Sequence, residues 1–252
     1  MTAAQPAHWH ALGAQLLQAG SAFYLGPKTP AAGKPWRGGV PVLFPQFAQR
    51  GQLPKHGFAR GLDWVRTGPD AWLLHVAPSS QALWPHAALL ELRFTPRADG
   101  IEAGGEITLS VSNTGHDSFR FTGGLHPYWA VENLQDVTLS GLSGLTVEDL
   151  YLPMRTSLPP TWQPGASKPL EVLADGCPAL LMHDGARQLR LQATGFTEWM
   201  IWNPGESLAA DLGDMPAADW TRFLCVEPVC VNHAVELAPE HSRCFTLKWE
   251  LL

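Results

Sequence analysis

The sequence predicts an all-β protein, a large antiparallel β-sandwich with few short helices. Three observations support this fold class. Glycine and proline are abundant, with 24 and 22 among 252 residues, and without a collagen period they are expected to separate many short elements. Between them recur stretches in which apolar and polar residues alternate, as in strands with one buried face. Helix signals are scarce. We expect residues 1–252 to form a single domain.

The N-terminal part of the chain divides into two segments. Its first 25 residues are apolar and are predicted to form a strand pair that lies against the core. A glycine- and proline-rich segment follows over residues 26–57. This segment is longer than an ordinary connection, and long ordered loops are often functional. We therefore expect part of a binding site in it.

The strands follow from alternation. The clearest one covers residues 106–113, where Ile107, Leu109 and Val111 lie on one face and hydroxyl residues lie on the other. Phe119 restarts the alternation after a turn. The same pattern predicts further strands at Ala71–Val76, 89–95, 137–139, 178–182, 189–193, 199–202, 223–226 and 244–251.

One short helix is predicted over Ala217–Arg222. Asp214 is expected to cap its N-terminus, and Pro216 lies at the first turn, where a missing amide hydrogen leaves no helical bond unmade. This is the best helix signal in the chain.

Charge and hydropathy exclude several function classes. The net charge of −6 does not favour binding to nucleic acid or to an anionic membrane. No apolar stretch reaches the length of about 18 residues that a membrane span needs. The N-terminus has no basic region before its apolar stretch, so we expect no signal peptide and a cytoplasmic location.

The four cysteines, Cys177, Cys225, Cys230 and Cys244, are expected to be reduced in the cytoplasm. Cys225, Cys230 and the following His233 fit no standard zinc spacing, and the sequence has no second ligand cluster. We therefore predict that Cys225 and Cys230 are buried thiols in strands, and we expect no metal.

The first candidate site residue is Arg37, which precedes Gly38 and Gly39. The glycine pair would let the backbone approach a ligand, and a guanidinium binds oxyanions through two hydrogen bonds. Taken alone, the pattern fits a solvated arginine beside a turn at least as well.

A second candidate is a compact cationic cluster at the end of the same glycine- and proline-rich segment and just after it. Lys55, His56 and Arg60 lie within six positions of one another. The alternative is a loop with ordinary surface charges.

Two further candidates are suited to proton transfer. His126 lies among glycines and aromatic residues after a strand, and an ordinary histidine pKa near 6.5 suits catalysis at neutral pH. A core histidine bonded to the backbone is the alternative. Glu227 is predicted to end a strongly apolar strand, where a carboxylate must be paired or have a raised pKa. A salt bridge at a strand end is its alternative.

Together these residues indicate a sugar ligand. A histidine and a glutamate facing each other in an aromatic cleft form an acid–base pair, and the clustered cations favour a phosphorylated sugar. Trp36, Trp129 and Trp202 are candidates to line the cleft, although each could equally be core. Neither a G-x-S-x-G motif nor a P-loop occurs, so serine hydrolysis and nucleotide hydrolysis have no support.

Six segments in order resemble the hexose-6-phosphate mutarotases (glucose-6-phosphate 1-epimerases) of the aldose 1-epimerase superfamily. They cover most of the chain from about residue 37 to 230. The matching segments are RGGVPVLFPQF (37–47), PKHGFAR (54–60) with Trp64 following, FTGGLHPYW (121–129), GLSGL (141–145), WNPG (202–205) and DMPAADWTRFLCVEP (214–228).

The resemblance implies a β-sandwich of the galactose-mutarotase type that interconverts the α and β anomers of an aldohexose 6-phosphate, with glucose 6-phosphate as the expected sugar. It implies His126 as general acid, Glu227 as general base, and Arg37 and Arg60 as substrate-binding residues. No cofactor or metal is implied. The expected partner is the small-molecule sugar phosphate, and the expected state is a monomer.

The chain departs from the family's pattern at two places. Lys55 stands before His56 where the family usually has glutamine, which could add a phosphate contact or alter the sugar preference. The family also has an acidic substrate-binding residue, an aspartate, after the GLSGL turn. Glu171 is the nearest candidate for that residue, in a segment between Gly144 and Trp202 that looks short.

Two alternatives stay open from the sequence. One is a mutarotase of unphosphorylated aldoses. The other is a non-catalytic carbohydrate-binding sandwich, which would not need both His126 and Glu227.

Overall fold

The computed structural model describes residues 6–151, 154–165, 167–185 and 187–252. Its strands pair antiparallel in three sheets. In chain order the strands are β1 (His8–His10), β2 (Gln15–Gln18), β3 (Val42–Leu43), β4 (Val65–Gly68), β5 (Ala71–Val76), β6 (Ala88–Arg97), β7 (Gly100–Asn113), β8 (Phe119–Leu125), β9 (Tyr128–Ala130), β10 (Val137–Ser140), β11 (Val147–Asp149), β12 (Met154–Thr156), β13 (Thr161–Trp162), β14 (Leu170–Asp175), β15 (Leu180–Asp184), β16 (Arg187–Thr194), β17 (Glu198–Asn203), β18 (Phe223–Leu237) and β19 (Ser242–Leu251).

Two large sheets make up most of the molecule. The nine-stranded sheet has the order β13-β10-β15-β16-β19-β7-β6-β5-β4. The eight-stranded sheet has the order β12-β11-β14-β17-β18-β8-β3, with β9 also paired to β18. Strands β1 and β2 form a separate pair, in agreement with the strand pair predicted near the N-terminus.

The inner faces of the two large sheets meet in an aromatic core. Trp129 of β9 lies 5.8 Å, between ring centroids, from Trp249 of β19. Phe121 of β8 lies 6.0 Å from Phe245 on the same partner strand. Large apolar rings contribute most to such a core because each buries a large area. The predicted all-β antiparallel sandwich is confirmed.

Strand β7 shows how the alternating pattern produces this arrangement. Its Ile107, Leu109 and Val111 are buried, while the intervening hydroxyl residues are only half-buried. The strand runs from Gly100, six residues earlier than predicted, because it pairs with β6 on one side and β19 on the other.

The helices differ from the prediction. Ala217–Arg222 is a 3-10 helix, and its N-cap is Pro216, without a side-chain cap. Asp214 accepts hydrogen bonds from Arg37 instead, so its predicted capping role is wrong. Gly205–Asp211, the α-helix α1, was not predicted, because its sequence GESLAAD has no capping side chain and only seven residues.

The glycine pair after Arg37 serves chain packing rather than ligand approach. Gly39 has a φ of +57°, and a Cβ there would lie 2.2 Å from the carbonyl oxygen of Leu16. At Gly38 the nearest atom would be the carbonyl oxygen of Tyr24, at 2.3 Å. The prediction that this pair admits a ligand is therefore wrong; it admits neighbouring backbone.

The cysteines are all free thiols, and their burial differs from site to site. Cys225 and Cys230 are buried in β18, as predicted. Cys244 is exposed on β19, and Cys177 is half-buried outside a strand. In the described part of the chain, no helix is long and apolar enough to cross a membrane.

Candidate active site

A cavity of about 410 Å³ lies against the eight-stranded sheet and is closed on one side by the 26–57 segment. All seven residues singled out from the sequence line it, namely Arg37, Lys55, His56, Arg60, His126, Glu171 and Glu227. The 26–57 segment, which was expected to carry part of a binding site, contributes three of these seven and also Phe47, Ala48, Gln49 and Arg50.

The strand register brings the sheet residues of the cavity onto one face. Glu171 of β14 lies opposite Trp202 of β17, and Met200 of β17 lies opposite Glu227 of β18. Residues two apart in a strand share a face, and directly opposite residues project to the same side of the sheet. Three strands thus direct their side chains into the cavity.

Glu227 lies within a strand rather than at its end. The predicted strand over 223–226 continues as β18 through Pro228 to Leu237. The prediction placed the end too early because proline is rare in central strands. Here Pro228 is paired with Trp199 of β17 on one edge of β18. On the other edge, strand pairing is interrupted between Cys225 and Val229.

That interruption places His126. Strand β9 pairs with β18 up to Cys225, and β8 pairs with it from Val229 onward. His126 occupies the break between β8 and β9, with its backbone N–H donated to the carbonyl of Pro41 at 3.0 Å. The break leaves room beside β18, and the histidine side chain lies there next to Glu227.

The two residues are in direct contact. His126 Nε2 lies 3.4 Å from Glu227 Oε1, and the side chains are only 8% and 1% exposed. His126 Nδ1 and Glu227 Oε2 are buried and have no hydrogen-bond partner in the described part of the protein. Buried polar atoms are normally bonded, so these two atoms are available to a ligand.

Aromatic rings hold the imidazole of His126 in place. The Tyr128 ring stacks on it with centroids 4.8 Å apart and an interplanar angle of 11°. Trp202 meets it edge-on at 5.9 Å, and His56 at 5.7 Å. One stacked ring and two edge contacts restrict the orientation of the imidazole.

Arg37 is anchored by two partners. Its Nε and Nη2 donate to the carboxylate of Asp214, and its Nη1 donates to Tyr128 Oη at 2.9 Å. The Arg37 guanidinium thus connects Asp214 to the ring that stacks on His126. Asp214 and Tyr128 lay within motifs quoted from the sequence, but spacing alone gave no signal for this network.

His56 is a neutral imidazole. Its backbone has a φ of +68°, and its Nδ1 accepts the N–H of Ala48 at 3.2 Å. Burial, followed by the charges of Arg60 and Lys55, lowers the pKa of His56 to about 2. The proton of the ring is therefore on Nε2, and His56 can donate one hydrogen bond without carrying charge.

Four cations border the cavity. Arg60 Nη2 donates to the carbonyl of Lys55, which leaves its other N–H groups unassigned to protein partners in the described residues. Lys55 and Arg50 are exposed at the rim. Arg50 donates to Asn232 Oδ1 at 3.1 Å. Together with Arg37, these side chains give the cavity a strongly positive field.

Glu171 is the acidic residue of the rim. It is half-buried on β14, where burial raises its pKa, while the charges of Lys55 and Arg50 act in the opposite direction. Its strand was not predicted, so the sequence gave only an approximate position for it.

Burial shifts the pKa values of the acid–base pair in opposite directions. It lowers the pKa of His126 well below the ordinary value of 6.5, and the charges of His56, Arg60 and Arg37 add to this. Burial also raises the pKa of Glu227 well above 4.5, with a contribution from Glu171. The site therefore disfavours charge on both residues, and a single proton is shared by the pair.

The three tryptophans suggested for the cleft separate in the structure. Trp202 lines the cavity. Trp129 is fully buried in the core between the sheets, and Trp36 lies outside the cavity lining. The suggestion is correct for Trp202 and wrong for the other two.

Comparison with known proteins supports a family relationship. Residues 14–249 match the model of the family described as "Aldose 1-epimerase". A "Putative glucose-6-phosphate 1-epimerase" from Cenchrus ciliaris is 27% identical over 224 residues, which are 81% of this chain and 66% of that protein. A protein of the same description from Salmonella typhimurium is 28% identical over 82% of this chain and 72% of its own length. The chain thus spans about two thirds of the length of these relatives.

Solved structures agree with the fold. The crystal structure of a "putative mutarotase" from Salmonella typhimurium matches with a TM-score of 0.83 and 26% identity, over 96% of this chain and 85% of that one. A "galactose mutarotase-like protein" from Lactobacillus casei, at 18% identity, matches with a TM-score of 0.71 over 98% and 96% of the two chains. The second likeness concerns the fold alone.

Proposed function

The chain belongs to the aldose 1-epimerase family, and from this premise we propose that it interconverts the α and β anomers of an aldohexose 6-phosphate, with glucose 6-phosphate as the expected sugar. One observation supports this proposal most strongly. A buried histidine–glutamate contact, His126 with Glu227, shares a cavity with four cationic side chains. The pair suits proton transfer at an anomeric centre, and the cations suit a phosphate.

Ring opening uses the charged form of the pair, in which the single proton is on His126, although burial favours the neutral form. The carboxylate of Glu227 removes the proton from the C1 hydroxyl, and the imidazolium of His126 protonates the ring oxygen. The C1–O5 bond breaks as the C1 carbonyl forms, which gives the open-chain aldehyde. Glu227 now holds a proton and His126 is neutral.

Ring closure reverses these transfers on the other face of the carbonyl. Rotation about C1–C2 turns that face toward the C5 hydroxyl. The hydroxyl attacks C1 while its proton returns to His126, and Glu227 returns its proton to the new C1 hydroxyl. The pair holds one proton throughout, and each positioned transfer contributes roughly 10²–10⁴-fold to the rate.

The electrostatics of the cavity support these roles. A raised pKa makes the Glu227 carboxylate a stronger base, and a lowered pKa makes the His126 imidazolium a stronger acid. Both pKa shifts therefore favour the state of the pair in the open-chain complex, in which Glu227 is protonated and His126 is neutral. A phosphate dianion beside Arg60 and Arg37 would offset the cations that disfavour charge on His126.

The cations divide into two roles in this proposal. Arg60 and Lys55 hold the phosphate, and Arg50 lies at the same rim. Arg37, held by Asp214 and Tyr128, uses its remaining N–H groups for the substrate while it fixes the ring stacked on His126. His56 and Glu171, which line the same cavity, bond sugar hydroxyls as donor and acceptor in this proposal.

The test of this function is the rate of anomer exchange, measured by NMR, for glucose 6-phosphate and for glucose. We expect the protein to accelerate exchange of the phosphate far more than that of glucose. Equal rates would favour a mutarotase of unphosphorylated aldoses. Binding without any rate increase over buffer would leave a carbohydrate-binding sandwich and contradict the proposal.

Removal of one cation is expected to separate the two sugars. Arg60→Gln removes charge-assisted hydrogen bonds of roughly 1.5–3 kcal/mol, so the KM for glucose 6-phosphate should rise about 10–100-fold while kcat/KM for glucose changes far less. Lys34→Gln, at an exposed position outside the cavity, is the matched control and should change neither value. An equal loss for both sugars in Arg60→Gln would assign Arg60 to the sugar ring instead.

The pH dependence of kcat/KM should reflect the shared proton. Activity is lost in acid when the pair binds a second proton, and the lowered pKa of His126 moves this limb below pH 6.5. Activity is lost in alkali when the pair loses its only proton, and the raised pKa of Glu227 moves this limb upward. We therefore expect a broad plateau through neutral pH.

Glucose is the control in that measurement, because the second pKa of a phosphate, about 6, would overlap the acid limb. An acid limb at or above pH 6.5 with both sugars would show that His126 does not have a lowered pKa.

A further inference from the structure

One buried nucleophilic group beside the proposed catalytic pair has no role in the mechanism. Cys225 is fully buried, and it precedes Glu227 by two residues on β18, so both side chains lie on the same face of that strand. The ligand atoms of His126, Cys225 and Glu227 all lie within 4.8 Å of one another. Nitrogen, sulfur and oxygen are the ligand types that zinc accepts.

The separation is close to what a metal ion needs. Bonds of about 2.0–2.3 Å in a tetrahedral site place ligand atoms roughly 3.3–3.8 Å apart, so small side-chain movements would complete the set. His126 Nδ1 and Glu227 Oε2 have no protein partner within the described residues, so no hydrogen bond of these two atoms has to break when an ion binds. Three protein ligands leave a fourth position for water or another ligand, and two of the three, His126 and Glu227, line the cavity.

The neighbouring cations do not prevent binding, because the charge of the triad stays constant. Before binding, the thiol is neutral and the histidine–glutamate pair carries one proton, so the triad is neutral. A divalent ion bound to a thiolate, a carboxylate and a neutral imidazole also sums to zero. The exchange replaces one thiol proton and the proton of the pair by one metal ion.

We propose that His126, Cys225 and Glu227 form an inhibitory site for a thiophilic divalent metal ion such as Zn²⁺. The bound ion occupies the two groups that exchange protons with the sugar and displaces the proton they share. It is an inhibitor and not a cofactor. The inhibition rests on the proposed function, whereas the binding does not.

Binding is tested first, on the full-length protein without sugar. Calorimetry with ZnCl₂ in two buffers of different ionisation enthalpy should give one equivalent of Zn²⁺ and the release of up to two protons. Cys225→Ser should weaken binding by about 100-fold or more, since loss of even an outer partner of a ligand costs 10–100-fold. Cys244→Ser removes an exposed thiol on β19 and is the matched control, with no expected change.

Co²⁺ provides a second measurement that does not depend on the stability of Cys225→Ser. In the wild-type protein and in Cys244→Ser, bound Co²⁺ should give the absorption band of thiolate-to-metal charge transfer. The band should be absent from Cys225→Ala. No band in the wild-type protein, or Zn²⁺ affinity unchanged in Cys225→Ser, would overturn the site.

Inhibition is tested last, with each variant compared with its own rate in EDTA. Zn²⁺ should slow anomer exchange in the wild-type protein, excess EDTA should restore it, and Mg²⁺ at the same concentration should have no effect. Cys225→Ser should need about 100-fold more Zn²⁺ for the same inhibition. Equal inhibition of Cys225→Ser and wild type would contradict the role of Cys225.

Discussion

Replacement of Glu227 by glutamine is expected to slow anomer exchange of glucose 6-phosphate by about 10²–10⁴-fold, with a small change in KM. Glutamine has nearly the same shape, so the packing around this buried position is retained. It cannot accept the C1 hydroxyl proton, because an amide is not a base at neutral pH. The loss should therefore fall on kcat.

Two measurements make the Glu227→Gln result interpretable. The thermal unfolding midpoint should stay close to that of the wild type, since the substitution also removes a buried carboxyl group whose charged form is disfavoured. Binding of glucose 6-phosphate, measured by calorimetry, should persist. Near-normal anomer exchange in this variant would remove Glu227 from the mechanism.

Replacement of His126 should cause a loss of similar size. His126→Asn removes the group that protonates the ring oxygen, and with it about 10²–10⁴-fold of the rate. It also removes the ring stacked on Tyr128, so the orientation of Arg37 is expected to change and KM to rise as well. The measurement is kcat and KM from the same NMR exchange assay.

A smaller variant distinguishes lost chemistry from lost packing. His126→Ala leaves space for an imidazole molecule, and added imidazole should restore part of the rate beyond the imidazole-catalysed reaction in buffer. A His126→Asn protein with full activity, or an inactive His126→Ala protein without any rescue and with unchanged substrate binding, would argue against the acid role.

The positions of the site residues could be predicted from sequence because their chemistry is unusual for their surroundings. Glu227 follows a strongly apolar run, and His126 lies among glycines and aromatic residues. Charged or titratable groups rarely occur there without a partner or a function. The cavity contains both residues together with the other five, of which Glu171 was expected only from the family resemblance.

The contacts that organise the site could not be predicted, because they depend on long-range pairing. Asp214 and Arg37 are 177 positions apart, so their contact depends on the tertiary structure that brings Asp214 beside the 26–57 segment. The register that sets Met200 opposite Glu227 likewise depends on strand pairing. Local propensity favoured a capping role for Asp214, and tertiary structure gave it a different one.

The alternation of apolar and polar residues was enough to predict the fold class, but it could not predict the short strands. Strands such as β9, β11 and β13 have two or three residues, too few to show a period. The extent of β18 was underestimated for a different reason, since Pro228 reads as an end signal and yet lies where pairing with β8 and β9 is interrupted.

The most direct test of the central claim, that His126 and Glu227 act as one acid–base unit on a sugar phosphate, is a double-mutant cycle. NMR exchange between the anomers of glucose 6-phosphate is measured with the wild type, Glu227→Gln, His126→Asn and the double variant. Because residues that act as a unit lose activity non-additively, the double variant should be about as slow as the slower single variant. Losses that multiply in the double variant, or a single variant that keeps the wild-type rate, would contradict the claim.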